Sequence, residues 1–256
     1  MCFNARFLLK MALKRAQHNH SKDVAYWESL LIQWDEWFLV SGFAHPRVVV
    51  YSNLEPFEPE PHTWGLVPGW AKTKESIWNN TLNAKSETMF EKPAFRKAAE
   101  TQRCIIPAAG FYEYHHFRNK AYPFYIYPKA QDQPFYFAGL WDEWVNRDNG
   151  EKLKTFSIVT TRANGLMAHI HNKPQCDDKP RMPVILSEAL TDEYLKPLSR
   201  KQVEELCEPY PETLMEAHTV RSISGKNSPG NVPGANDKFE YSELDFGGKD
   251  GQLKLF

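Results

Sequence analysis

Cys2 stands one peptide bond behind Met1, and that position offers chemistry that no internal cysteine has. A small second residue favours removal of the initiator Met, and removal leaves an α-amine and a thiol on one residue. Such a 1,2-aminothiol attacks an aldehyde twice over. The amine forms a Schiff base, then the sulfur adds to the imine carbon and closes a thiazolidine ring. The amine suits this work at neutral pH. With a pKa near 7.7–8.0 against 10.4 for Lys, its neutral fraction is roughly a few hundred times larger. N-terminal nucleophiles in enzymes exploit the same property. The alternative is that Cys2 is simply a small buried residue near a chain end, and the rest of the chain decides between the two.

Other segments carry residue types that could assist. Trp64-Gly65-Leu66-Val67-Pro68-Gly69-Trp70-Ala71-Lys72 is followed by Leu82-Asn83-Ala84-Lys85-Ser86-Glu87-Thr88 and by Pro93-Ala94-Phe95-Arg96. Arg103 to Tyr114 sets Glu113 among Phe111, Tyr112 and Tyr114. Val159-Thr160-Thr161 leads to Ile170-His171 and on to Arg181-Met182-Pro183-Val184-Ile185-Leu186. Schiff-base formation needs protons delivered to a departing hydroxyl and removed from the amine, work that a carboxylate and an imidazole can share. On residue type alone, Glu113 is either that carboxylate or an exposed strand acid. His171 competes with His169, and Asn83 also reads as the N-cap of a helix with Ser86 and Glu87 in its first turn.

Met1-Cys2 and these segments, in this order, resemble the SOS-response-associated peptidase family, the abasic-site processing proteins, from Met1 to about Ser222. The resemblance implies autocatalytic loss of Met1. It then implies a covalent thiazolidine between Cys2 and the ring-opened aldehyde of an abasic site in single-stranded DNA. It implies that Cys2 is the nucleophile, Asn83 a hydrogen-bonding group at the reacting centre, Glu113 the catalytic carboxylate and His171 the catalytic imidazole. Binding DNA requires phosphate neutralisation and base stacking. Trp64 and Trp70 flank a Gly/Pro turn and read either as a stacking platform or as core. Lys85 and Arg96, then Arg181, are the expected phosphate contacts, with Thr160 in the same DNA-binding set. The chain also departs from the family pattern. Phe3 and Asn4 stand where relatives commonly have Gly-Arg, Lys85 replaces an Arg and its bidentate fork, and Asn172–Pro180 lengthens the span between His171 and Arg181. Two other readings are a thiol peptidase acting on other proteins and a non-catalytic module that binds single-stranded DNA.

Gln252-Leu253-Lys254-Leu255-Phe256, after a polar stretch, resembles the peptide with which bacterial repair proteins dock on the sliding clamp. A tether ending in Leu255 and Phe256 would raise the effective concentration of the domain near DNA.

These residues need a scaffold, and 256 residues with 42% apolar and 14% aromatic content can build one. Phe7–His18 and Val24–Phe38 read as amphipathic helices and Lys72–Ala99 as a broken helical region. Strands are expected at Arg47–Tyr51, Thr63–Leu66, Arg103–Ile106, Gly110–His116, Tyr122–Tyr127, Pro134–Ala138, Trp141–Trp144, Thr155–Thr160 and Met182–Leu186. Helices are expected at Ala163–Ala168 and across Thr191–Cys207, split at Pro197. The fold class is therefore α+β. One domain, residues 1–222, has a strand-rich, barrel-like antiparallel core flanked by short helices, and a flexible tail follows over residues 223–256.

A net charge of −1 excludes a global basic field, although basic residues cluster before Lys22 and from Lys92 to Arg103. Cys2, Cys104, Cys176 and Cys207 show no CxxC spacing, so neither a structural zinc site nor a disulfide framework is expected, and no cofactor. The chain lacks an apolar run long enough to cross a bilayer and a signal-peptide pattern. A cytoplasmic, nucleoid-associated monomer is the expectation.

Overall fold

β-Branched and aromatic residues are frequent between Trp37 and Arg162, and about half of that stretch folds into strands. The computed structural model describes residues 2–18, 25, 26, 29, 34–173 and 180–244. Its strands are β1 (Asn4–Phe7), β2 (Trp37–Ser41), β3 (Arg47–Ser52), β4 (Glu60–Trp64), β5 (Asn83–Lys85), β6 (Arg103–Ala108) and β7 (Gly110–Phe117). They continue with β8 (Lys120–Pro128), β9 (Phe135–Val145), β10 (Lys152–Arg162), β11 (Arg181–Pro183), β12 (Ile185–Leu186) and β13 (Met215–Thr219). The helices are short: α1 (Leu9–Ala12), α2 (Lys14–His18), α3 (Arg96–Thr101), α4 (Gly165–Ile170), α5 (Glu188–Leu195) and α6 (Arg200–Glu205).

The strands form two sheets. In one, β10, β4, β3, β6 and β9 pair in sequence, and β9 pairs again with β10, which closes a five-stranded barrel. Closure leaves these strands without a free edge. β9 and β10 pair from Val145/Lys152 to Gly139/Ile158 and then part. β11 and β12 enter the gap between them, β11 on Thr160–Arg162 and β12 on Tyr136–Phe137. The other edge of β10 carries two parallel partners, β4 at Thr155–Phe156 and β5 at Ile158–Thr160. All other pairings are antiparallel. The second sheet runs β13-β8-β7-β1-β2 and lies against the barrel. The core between them includes Ala5, Phe7, Phe111, Ile126, Phe137, Phe156 and Met182.

Four expectations change. The region from Lys72 to Ala99 is not mainly helical: its centre is β5, because Asn83–Lys85 completes the edge of β10. Pro134–Ala138 and Trp141–Trp144 are one strand, since β9 pairs without a break across Gly139 with β6. Of the segment expected as a helix over Val24–Phe38, about half lies outside the described residues; Ala25, Tyr26 and Ser29 are helical, while its end, Trp37 and Phe38, opens β2. The polar stretch from Ser222 packs on the outer face of the second sheet as far as Leu244. Phe239 N–H donates to Thr219 O at 2.8 Å, Tyr241 Oη to Val220 O at 2.9 Å, and Ile223 and Ala235 are buried with Tyr112 and Tyr125. Its own apolar content does not order it; the aromatic face beneath supplies what it lacks. The expected clamp peptide, Gln252 to Phe256, and Cys176 lie outside the described residues.

Candidate active site

β1 delivers Cys2 to the junction of the two sheets. Its residues pair on one side with β2 and on the other with β7, Asn4 opposite Tyr112. That register sets the start of the chain beside Glu113. Cys2 is 1% exposed, with its Sγ 3.9 Å from Asn4 O. Burial, and next the charge of Glu113, push the thiol well above its ordinary range. The sulfur therefore carries its proton at neutral pH.

Asn83 comes from β5. Its Nδ2 donates to Cys2 O at 2.9 Å, and its Oδ1 is buried with no partner in the described structure. The N-cap reading of Asn83 does not hold, because the residue sits in a strand paired with Ile158. Glu113 comes from β7, where Tyr114 N–H donates to its Oε1 at 3.0 Å. His171 follows α4, a helix capped by Asn164, whose Oδ1 accepts from Met167 N–H at 2.9 Å. His171 Nδ1 lies 3.6 Å from Glu113 Oε2 and 3.2 Å from Arg181 O. Both neighbours are acceptors, so we assign the proton to Nδ1. His169, the competing imidazole, stacks on His115 instead, at 5.1 Å between ring centroids.

Four segments distant in sequence thus bring a thiol, an amide, a carboxylate and an imidazole to one place. A cavity of about 480 Å³ opens beside them, lined by Phe3, Glu113, His116, His171, Lys173 and Tyr241 among others. Sequence reasoning missed His116 and Lys173, whose neighbourhood depends on the turn after α4. Burial, and then the charge of Lys173, hold the His116 imidazole below its usual range.

The expected DNA contacts divide. Trp70 is 57% exposed, and Arg96 is exposed at the first position of α3. Lys85 shares a strand face with Asn83, two residues away on β5. Trp64 is a correction: it is wholly buried, its Nε1 donates to Leu82 O at 2.9 Å, and its ring stacks on Phe156 inside the barrel. No face remains for a base. Thr160 is also wholly buried on β10. Arg181 is committed within the fold, donating to both carboxylate oxygens of Glu87 at 3.1 and 2.7 Å and to Thr160 O at 2.7 Å. A phosphate could reach Arg181 only by displacing Glu87.

Known proteins resemble this chain over most of its length. A family model described as SOS response associated peptidase (SRAP) matches residues 10–226. The chain is 42% identical over 171 residues to the abasic site processing protein YoqW of Bacillus subtilis, covering 66% of this chain and 70% of that protein. It is 30% identical over 142 residues to the abasic site processing protein HMCES of Xenopus tropicalis, covering 48% and 40%. A crystal structure of a Bacteroides thetaiotaomicron protein superposes with a TM-score of 0.81 at 34% identity, covering 93% of this chain and all of that one. A Bordetella bronchiseptica protein superposes with a TM-score of 0.70 at 25% identity, covering 86% of this chain.

Proposed function

The chain belongs to the SOS response associated peptidase (SRAP) family, and from that premise we propose that it processes abasic sites in single-stranded DNA by covalent capture at Cys2. The observation that carries this reading is the convergence of Asn83, Glu113 and His171 on Cys2. Hydrolytic loss of Met1 frees the α-amine. The amine adds to the C1′ aldehyde of the ring-opened sugar, giving a carbinolamine, and loss of water gives an imine. The S–H then adds across the C=N bond: sulfur bonds to carbon and its proton passes to nitrogen. One water leaves overall, and no oxidant or metal enters the balance.

Each neighbour has work in this sequence. Asn83 holds the Cys2 carbonyl through Nδ2 and offers Oδ1 to the amine or to the carbinolamine hydroxyl. Glu113 shuttles protons between the amine and the departing hydroxyl, and His171 supports it through the facing Nδ1. The amine attacks first and sulfur second, because the thiol closes the ring by adding to the C=N bond that the amine creates.

Incubation with a single-stranded oligonucleotide carrying one abasic site tests the proposal. The expected outcome is a heat-stable band of lower mobility that is absent with Cys2→Ala, and an intact mass lacking Met1. Purely reversible binding would favour the single-strand-binding module, cleavage of other proteins would favour the peptidase, and active material that retains Met1 would refute the mechanism. The terminal peptide extends the proposal to a sliding clamp. A synthetic peptide of residues 245–256 should bind a purified bacterial clamp and lose binding with Leu255→Ala and Phe256→Ala together; no binding at high micromolar peptide excludes it.

A further inference from the structure

Phe43 is a large apolar side chain left 53% exposed beside the most reactive part of the molecule. It sits in the 3-10 turn Gly42–Ala44 that follows β2. Its ring lies 5.1 Å from that of Phe3, tilted by 34°, and Phe3 in turn lines the cavity that holds Glu113 and His171. One aromatic surface therefore runs from the cavity to open solvent.

The turn is held rigidly, so the exposure of Phe43 is not looseness. Gly42 N–H donates to Phe3 O at 2.8 Å, and Ser41 Oγ accepts from Phe43 N–H at 3.3 Å. A Cβ on Gly42 would lie 3.1 Å from the Trp64 ring, so the backbone rides directly on that buried indole. Two residues on, His45 is fixed by Trp64 O at 2.8 Å and stacks on Trp78 at 3.8 Å between centroids, with Lys74 Nζ above the same indole. Aromatic rings interleaved with a cation suit single-stranded nucleic acid, because every base has a π-face and the backbone is anionic.

We propose that Phe43, backed by Phe3, is the stacking subsite for a nucleobase flanking the abasic sugar. The proposal rests on the reading of Cys2 as the group that captures that sugar. A missing base leaves its neighbour without one stacking partner, and a ring preset at the cavity mouth replaces that partner. Trp64, expected from sequence to stack on DNA itself, acts one layer below by supporting the turn that presents Phe43.

The test uses the whole protein and a single-stranded oligonucleotide containing tetrahydrofuran, an abasic analogue with no aldehyde, flanked by 2-aminopurine on either side in turn. Binding should quench 2-aminopurine on one side, and Phe43→Ala should remove the quench and weaken binding about tenfold, the scale of one base stack. Phe43→Tyr should keep both, and Leu54→Ala, which removes an exposed side chain in the loop after β3, should bind as the wild type does. Binding by Phe43→Ala within about twofold of wild type, with the quench intact, overturns the proposal. Dependence on Phe43 in a protein that never crosslinks a true abasic site would support this subsite while refuting the covalent reading.

Discussion

Asn172 grips the backbone of β7 with both ends of its side-chain amide. Its Oδ1 accepts from His116 N–H at 2.7 Å, and its Nδ2 donates to His116 O at 3.0 Å. The side chain thus imitates one more residue of a β-ladder. It ties the turn that carries His171 to the strand that carries Glu113, and so helps to set the 3.6 Å between those two groups. Asn172→Ala removes both bonds, each worth about 1 kcal/mol. We expect crosslinking to slow about tenfold while Tm falls only a few degrees. Asn172→Asp keeps the acceptor but sets a second oxygen against His116 O in place of the donor, so it should slow crosslinking as Asn172→Ala does. An unchanged rate in Asn172→Ala would show that the latch does not position His171. Nothing in the sequence marks Asn172, because its role arises only once the turn after α4 meets β7. Cys2 could be singled out beforehand by its position, whereas Asn83, Glu113 and His171 stand out only through the family resemblance, because by residue type alone each has an ordinary structural alternative. Trp64 and Trp70 could not be told apart, because an indole in a Gly/Pro turn packs inward or outward with equal chemical sense.

The elements that position the site differ in how plainly they can be read. Apolar, β-branched and aromatic content marks β6, β7, β8 and β10, whose expected and observed spans differ by a few residues at their ends. β5 escapes such reading. Three residues have no measurable period, and their strand conformation is imposed by β10, some seventy residues further along the chain. β1 is hidden for a related reason, since Phe7 begins an apolar run that reads as a helix while Asn4–Phe7 is drawn between β2 and β7. These two short, context-made strands carry Asn83 and lead on from Cys2, so the site is built from the pieces least encoded locally. The turn after β4 shows the same dependence. Gly65 has φ +119°, and a Cβ there would lie 2.8 Å from His45 Nδ1 and 3.0 Å from Trp78 O. That glycine is needed because the His45–Trp78 stack closes on it, a contact across twenty residues on one side and thirteen on the other.

Barrel closure and the second sheet together enclose several weak acids. Tyr51, Tyr112, Tyr194 and Cys104 are at most 1% exposed, and burial is the leading cause that pushes each of them up. Burial, followed by the charge of Glu87, takes the Cys207 thiol up to about 12. In the unfolded chain these groups ionise at about 8.5 for Cys and about 10 for Tyr. In the folded protein they stay neutral well beyond those values. The unfolded state therefore binds fewer protons than the folded state above about pH 9, and stability falls as pH rises. The contribution of each group is fully present below its unfolded pKa and is lost toward its folded pKa. Each can cost up to about 1.4 kcal/mol per pH unit across that window. Thermal melts should thus give a Tm that is level from about pH 6 to 8 and then drops steeply above about pH 9. Tyr51→Phe keeps the ring but removes one ionising group and its hydrogen bond to Ala12 O, so its Tm should begin lower and decline less steeply than wild type. A Tm that stays level to about pH 10.5 would show that these groups are open to solvent and the barrel less tightly closed than its strand pairing implies.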